Sequence, residues 1–179
     1  MFYVSEPMHT APEIFRSALQ EKTYAALEAL AIPYARVDTD EAITMEDCVQ
    51  IDEKLDMKMV KTLFLCNRQQ TAFYLFITAG DKPFRSKNFS TALDVARVSF
   101  APSEKMEQML GTKIGAATVF SALLDTARDV QIVFDQDVLE EEWYGCSDGT
   151  TTGYMKIRTD DIVHRLLPYA KHSCKIIAM

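Results

Sequence analysis

Four features of this chain have residue types and spacing that bear on chemistry: Lys61, Cys146, the segment Gly111-Thr112-Lys113-Ile114-Gly115 and the segment Gly145-Cys146-Ser147-Asp148-Gly149. Lys61 lies in Met59-Val60-Lys61-Thr62-Leu63-Phe64-Leu65-Cys66, which reads as a strand with apolar residues on both faces. Val60, Phe64 and Cys66 fall on one face, and Leu63 and Leu65 share the other with Lys61. A bare ammonium is costly in the middle of a sheet, so this one either reaches water along its aliphatic stem or faces a polar hollow. In the second case it is placed to bind an anion or a developing negative charge. Each glycine pair brackets a short loop where backbone can approach a ligand, although turn geometry alone also accounts for loop glycines. Cys146 is a thiol in a glycine-flanked turn, and reactivity there needs a basic neighbour that the sequence does not place.

Familiar catalytic patterns are missing. Gly111 to Gly115 lacks the Gly-Lys-Ser/Thr ending of a phosphate loop, and its spacing is not that of a dinucleotide fingerprint. His9, His164 and His172 are scattered without an evident serine or cysteine partner, so a hydrolytic triad is unsupported. Cys48, Cys66, Cys146 and Cys174 contain no Cys-x-x-Cys pair, which argues against structural zinc and for free thiols. No metal or cofactor is expected. The formal net charge of −7 excludes a generic basic coat for nucleic acid, but not a protein that grips only the tip of an RNA. Lys82, Arg85 and Lys87 form the most visible basic cluster, which taken alone reads as a solvated loop. No apolar run is long enough to span a membrane, and no basic-then-apolar leader opens the chain, so a cytoplasmic protein without a membrane partner is expected.

The elements that must position these residues follow from periodicity and punctuation. A capping box at Thr10-Ala11-Pro12-Glu13 predicts a helix with an apolar stripe from Ile14 to Leu30. Tyr34 to Val37 reads as a short strand, and Thr44-Met45-Glu46-Asp47 opens a helix to about Lys54. The Lys61 strand and Thr71 to Thr78 pair as a hairpin across a polar turn. Ser86 to Leu93 reads as a helix, Arg97 to Phe100 as a strand, and Ser103 to Leu110 as a helix that Gly111 ends. Val130 to Phe134, Trp143 to Cys146 and Thr151 to Ile157 read as strands, and Thr159 caps a last helix that Pro168 closes. Residues 1–179 form one domain without repeats or linkers. The interspersed order predicts an α+β fold around a mixed, largely antiparallel, barrel-like sheet surrounded by helices.

From about Tyr24 to Leu167 the order of these pieces resembles the YbaK/ProX family of aminoacyl-tRNA editing domains. The resemblance rests on Ile32-Pro33-Tyr34, Val60-Lys61-Thr62-Leu63-Phe64-Leu65, Ala79-Gly80-Asp81-Lys82, and Val98-Ser99-Phe100-Ala101. It continues through Leu110-Gly111, the Gly111 to Gly115 loop leading to Phe120, the Thr-Thr strand and Asp160-Asp161-Ile162. It is closest to the free-standing branch associated with prolyl-tRNA synthetase editing. The resemblance implies hydrolysis of the ester that joins a wrong amino acid to the 3′ end of a tRNA, most of all alanine on proline tRNA. It implies the aminoacylated tRNA end as partner and prolyl-tRNA synthetase as a second; the oligomeric state is left open. Lys61 matches the family lysine, which implies that it holds the terminal adenosine or the reacting ester while water, aided by the substrate's own ribose hydroxyl, attacks the carbonyl. Substrate-binding positions are implied at Thr62, Gly111, Gly115, Ala116, Gly145, Cys146, Asp148 and Gly149.

The chain also departs from the family. Gly145 and Cys146 stand where many members carry His-Pro, Gly149 replaces an asparagine, Ile114 and Val119 stand where prolines are common, and Thr62 replaces the asparagine of some alanine-specific members. A second reading therefore stands beside the deacylase: a non-catalytic module of the same fold that binds a tRNA end, a nucleotide or a protein.

Overall fold

The computed structural model describes residues 1–42 and 44–179, the side chain of Met45 aside. Two open sheets carry the fold. The larger has five strands in the order β4-β2-β3-β5-β8, formed by β2 (Val60–Asn67), β3 (Phe73–Ala79), β4 (Val98–Phe100), β5 (Val130–Asp135) and β8 (Cys174–Ile177). The smaller has the order β1-β7-β6, from β1 (Tyr34–Asp38), β6 (Trp143–Ser147) and β7 (Gly153–Arg158). All pairings are antiparallel except β3 with β5 and β5 with β8. The α+β class and the largely antiparallel character are as the sequence predicts. The expected single, barrel-like sheet is instead two sheets that touch through one parallel bridge, Met59 to Gly145.

β2 is buried on both sides because two cores meet it. Phe64 and Cys66 pack into the main core with Leu75, Ile77, Phe120, Phe134, Tyr144 and Met155. Leu63 and Leu65 pack on the other face with Phe76 and Phe89, the latter from α3 (Ser86–Leu93). The alternation read from the sequence is thus the alternation of the two cores. α2 (Met45–Leu55) starts with the expected capping box: the Thr44 hydroxyl accepts from Asp47 N–H, and the Asp47 carboxylate accepts from Thr44 N–H. α4 (Ser103–Lys105) continues as a wide π-turn, Met106–Leu110, and ends at Gly111, whose φ is +67°.

Three local expectations are corrected. The first helix, α1 (Ala18–Ala29), is capped by Ser17 rather than Thr10. Residues before it are drawn toward the smaller sheet: Val4 bridges Thr39, just past β1, Met8 bridges Arg36 on β1, and the Thr10 carbonyl accepts from the Arg36 guanidinium. Tertiary pairing there outweighs a local capping signal. Thr159 is not the cap of the last helix but its first residue, its hydroxyl buried without a partner. Pro168 does not close that helix either. The helix runs from α6 (Thr159–Asp161) through a π-turn at Ile162–Leu166 into α7 (Leu167–Tyr169), and the widened turn accommodates the proline's missing N–H. No helix among the described residues is long and apolar enough to cross a membrane.

Candidate active site

A cavity of about 960 Å³ opens where the two sheets meet. Its back wall is the start of β2, from Val60 to Phe64. Five consecutive strand residues can line one cavity only if the strand edge itself is bare. β4 covers that edge only from Leu65 onward, and Ala101 N–H donates to the Phe64 carbonyl. On the other side the edge is covered at the Met59 to Gly145 bridge. Between them, by antiparallel alternation, Thr62 turns its own peptide N–H and carbonyl into the gap. The opposite walls are Ile114, Gly115 and Ala117 of the glycine loop, Cys146 and Ser147 at the end of β6, and Cys48, Val49 and Asp52 on one face of α2. Phe100, Ile114 and Val49, at 62%, 72% and 51% exposure, put apolar side chains around the mouth.

Lys61 is half-buried on this wall and has no carboxylate partner among the described residues. Its ammonium donates to the Lys82 carbonyl. That carbonyl is held in place because the Lys82 side chain is itself fixed, at 2.8 Å from Asp135 and 2.9 Å from Asp137. Asp135 also accepts from the Thr78 hydroxyl at 2.7 Å. Lys82 is therefore committed to structure, which removes it from the basic cluster of the sequence reading. Lys61 keeps its charge and remaining donors for a ligand.

Of the nine site residues read from the sequence, Lys61, Thr62, Gly115 and Cys146 line the cavity. Gly115 has φ +91° and open space where a Cβ would stand, so bare backbone faces the hollow there. Gly111, Ala116, Gly145, Asp148 and Gly149 lie behind the walls. Their arrangement braces the two loops: the Ser147 hydroxyl donates to the Ala116 carbonyl at 3.1 Å, and the Thr118 hydroxyl to the Ser147 carbonyl at 2.9 Å. Asp148, 1% exposed, accepts from Gln20 and Tyr24 of α1 through one oxygen and from Thr150 through the other.

Gly145 has a steric reason to lack a side chain. A Cβ there would stand 2.4 Å from the Met57 sulfur and 3.0 Å from the Lys58 carbonyl. Met57 and the close approach of the segment before β2 thus occupy the position where a histidine side chain would begin. Cys146 faces the cavity, but burial pushes its thiol well above the usual value, so it stays protonated and is not a nucleophile.

Sequence reading missed Asp52, since a single carboxylate on an amphipathic helix carries no distinguishing mark. Only the register of α2, with Cys48 and Asp52 four residues apart on one face, placed it toward β2. Its Oδ1 accepts from Met59 N–H at 3.0 Å. Burial lifts its carboxyl from 3.8 to about 6, with the Met59 N–H opposing. The fold therefore holds the proton more tightly than the unfolded chain does. The associated stability is full below the ordinary value and is lost as pH rises through about 6. Asp52→Asn, neutral throughout, should be more stable than the wild type at pH 8, by at most about 1 kcal/mol because the half-buried group is screened by solvent. The gain should shrink toward zero at pH 4.5; thermal melts at the two pH values measure it, and an equal shift at both contradicts the assignment.

Comparison with known proteins places the chain. The site is a cavity built on a bare strand edge, with a glycine loop and one ammonium that no carboxylate pairs among the described residues. The chain belongs to the aminoacyl-tRNA editing domain family, which residues 39–164 match. This bears out the resemblance read from the sequence. A curated relative, the prolyl-tRNA editing protein ProX of Acetoanaerobium sticklandii, is 28% identical over 121 residues, 67% of this chain and 73% of its own length. Among solved structures, a candidate trans-editing enzyme for prolyl tRNA synthetase superposes with TM-score 0.65 at 15% identity, over 92% of this chain and 98% of that one. The hypothetical protein APE2540 does so with TM-score 0.65 at 14% identity, over 87% and 97% of the two chains. These structural likenesses establish the shared fold.

Proposed function

We propose that the chain is a trans-acting deacylase that removes alanine from proline tRNA. The observation that carries the reading is Lys61: a half-buried ammonium without a carboxylate partner, on the wall of a cavity large enough for a nucleoside and a small acyl group. Water adds to the ester carbonyl, and negative charge develops on its oxygen. The Lys61 ammonium and the Thr62 peptide N–H meet that charge in a site with a largely apolar rim. The bond between the carbonyl carbon and the ribose oxygen then breaks, releasing the amino acid and the tRNA hydroxyl. The name of the curated relative supports proline tRNA as the class of substrate. Cytoplasmic action beside prolyl-tRNA synthetase would follow from that role.

The whole cavity, at about 960 Å³, is too roomy to exclude proline by volume. Discrimination must come from individual walls, where Gly115 and Ala117 leave space for a methyl group and the β2 edge facing them resists a ring. The test is a deacylation panel of alanyl-, cysteinyl-, seryl- and prolyl-tRNA. Alanyl-tRNA should be cleaved faster than prolyl-tRNA by on the order of 10². If none of the four is cleaved faster than in buffer, the enzymatic reading fails.

A further inference from the structure

The cavity wall carries one half-buried acid, and the preceding mechanism does not use it. Asp52 is the half-buried carboxylate there; Asp81, Asp137, Glu140 and Glu141 on the same lining are exposed. Its Oδ1 is fixed by Met59 N–H, while Oδ2 has no hydrogen bond or ion pair among the described residues. The groups around it do not supply a cation. Cys48, one turn away on α2, and Tyr154 of β7, on the same lining, both have their pKa values raised by burial, so both remain neutral. Lys58, in the segment leading into β2, reaches Glu141 at 3.8 Å, and Lys61 donates to the Lys82 carbonyl. The cavity thus presents one half-buried carboxylate oxygen without a partner among the described residues and one ammonium that no carboxylate pairs there.

Both groups stand on one stretch of the cavity wall. Met59, whose N–H anchors Asp52, precedes Lys61 by two residues, so the two backbone positions lie roughly 7 Å apart along an extended chain. An aminoacyl ester carries its α-ammonium two bonds from the reacting carbonyl. With one hydrogen bond at each end it spans on the order of 8 Å. Resting on the deacylase reading above, we infer that Asp52 is a specificity-determining residue whose carboxylate binds the free α-ammonium of the aminoacyl group while its carbonyl lies at Lys61. The site then reads the charge at the amino end as well as the size of the side chain. It spares N-acylated substrates, peptidyl-tRNA among them, whose nitrogen carries no charge. With the carboxyl at about 6, the acid is ionised under neutral conditions and loses its grip as pH falls below that value.

The probes are 3′-deoxy-3′-(L-alanylamino)adenosine, whose amide link is not an ester substrate, and its N-acetyl derivative. Binding of each to the full chain is measured by calorimetry at pH 7.5 and pH 5, for wild type and Asp52→Asn. Asparagine keeps an oxygen for the Met59 N–H, so the anchor survives. The wild type should prefer the free amine by about tenfold at pH 7.5, as one charge-assisted pair provides. That preference should fall severalfold at pH 5 and be absent in Asp52→Asn, whose affinity for the N-acetyl probe matches that of wild type. Equal wild-type affinity for the two probes, a preference that survives Asp52→Asn, or no binding of either probe overturns the inference. The wild-type comparison needs no variant to fold. A clear amine preference in a protein that cleaves no aminoacyl-tRNA would sink the deacylase reading and leave the role of Asp52 standing.

Discussion

Lys61→Ala is expected to slow deacylation by on the order of 10²–10³, the usual consequence of losing one fixed donor to a developing oxyanion. The loss should appear in the single-turnover rate, because the charge it stabilises is absent from the bound ester. It should not appear in folding. Lys61 has no ion pair among the described residues, and its hydrogen bond runs to a backbone carbonyl already anchored through Lys82, Asp135 and Asp137. Removing it leaves no charge unpaired, so the melting temperature should move little, within about 0.5 kcal/mol of stability. A protein that melts as before and cleaves as before would show that the ammonium has no part in the chemistry. Lys61→Arg should recover only part of the rate, since a planar guanidinium cannot place its donors as a compact ammonium does.

The strand that carries Lys61 was legible in the sequence for a physical reason: burial on both faces leaves apolar residues in both registers, and only Lys61 and Thr62 break the pattern at its start. α2 was legible because the Thr44 and Asp47 capping box is satisfied locally. The start of α1 was not, because what decides it is the pairing of Val4 and Met8 with Thr39 and Arg36, a contact across the chain. β8 was missed for the same reason: Cys174–Ile177 is short, and its partner β5 lies some forty residues earlier. The division into two sheets depends on strand order, which periodicity does not encode. In the site, residues on β2 and the glycine loop could be found from local pattern. Ser147 and Asp52 could not, since each faces the cavity through the register of an element and not through its own chemistry.

Asp148→Ala should be the most destabilising single change near the site. The carboxylate is 1% exposed, and no cation pairs with it among the described residues. It is instead solvated by protein donors: Gln20 Nε2 at 2.9 Å, Tyr24 Oη at 2.8 Å, Thr150 Oγ1 at 2.7 Å and Thr150 N–H at 3.2 Å. Removing it strands the three side-chain donors in an interior that water does not reach, at about 1 kcal/mol each, or about 3 kcal/mol together. For a chain of this length that lowers the melting temperature by about 6–12 °C. Truncating a donor in the same background separates this account from a simple cavity effect. Tyr24→Phe should cost about 1 kcal/mol in the wild type and close to nothing once Asp148 is alanine, because the orphaned hydroxyl is then removed. Equal costs in both backgrounds would mean that the hydrogen bond does not hold α1 to the β6–β7 turn. Because that turn also holds Ser147 against Ala116, the variant should raise KM more than it lowers kcat: the wall of the cavity loosens while Lys61, anchored separately through Lys82, stays in position.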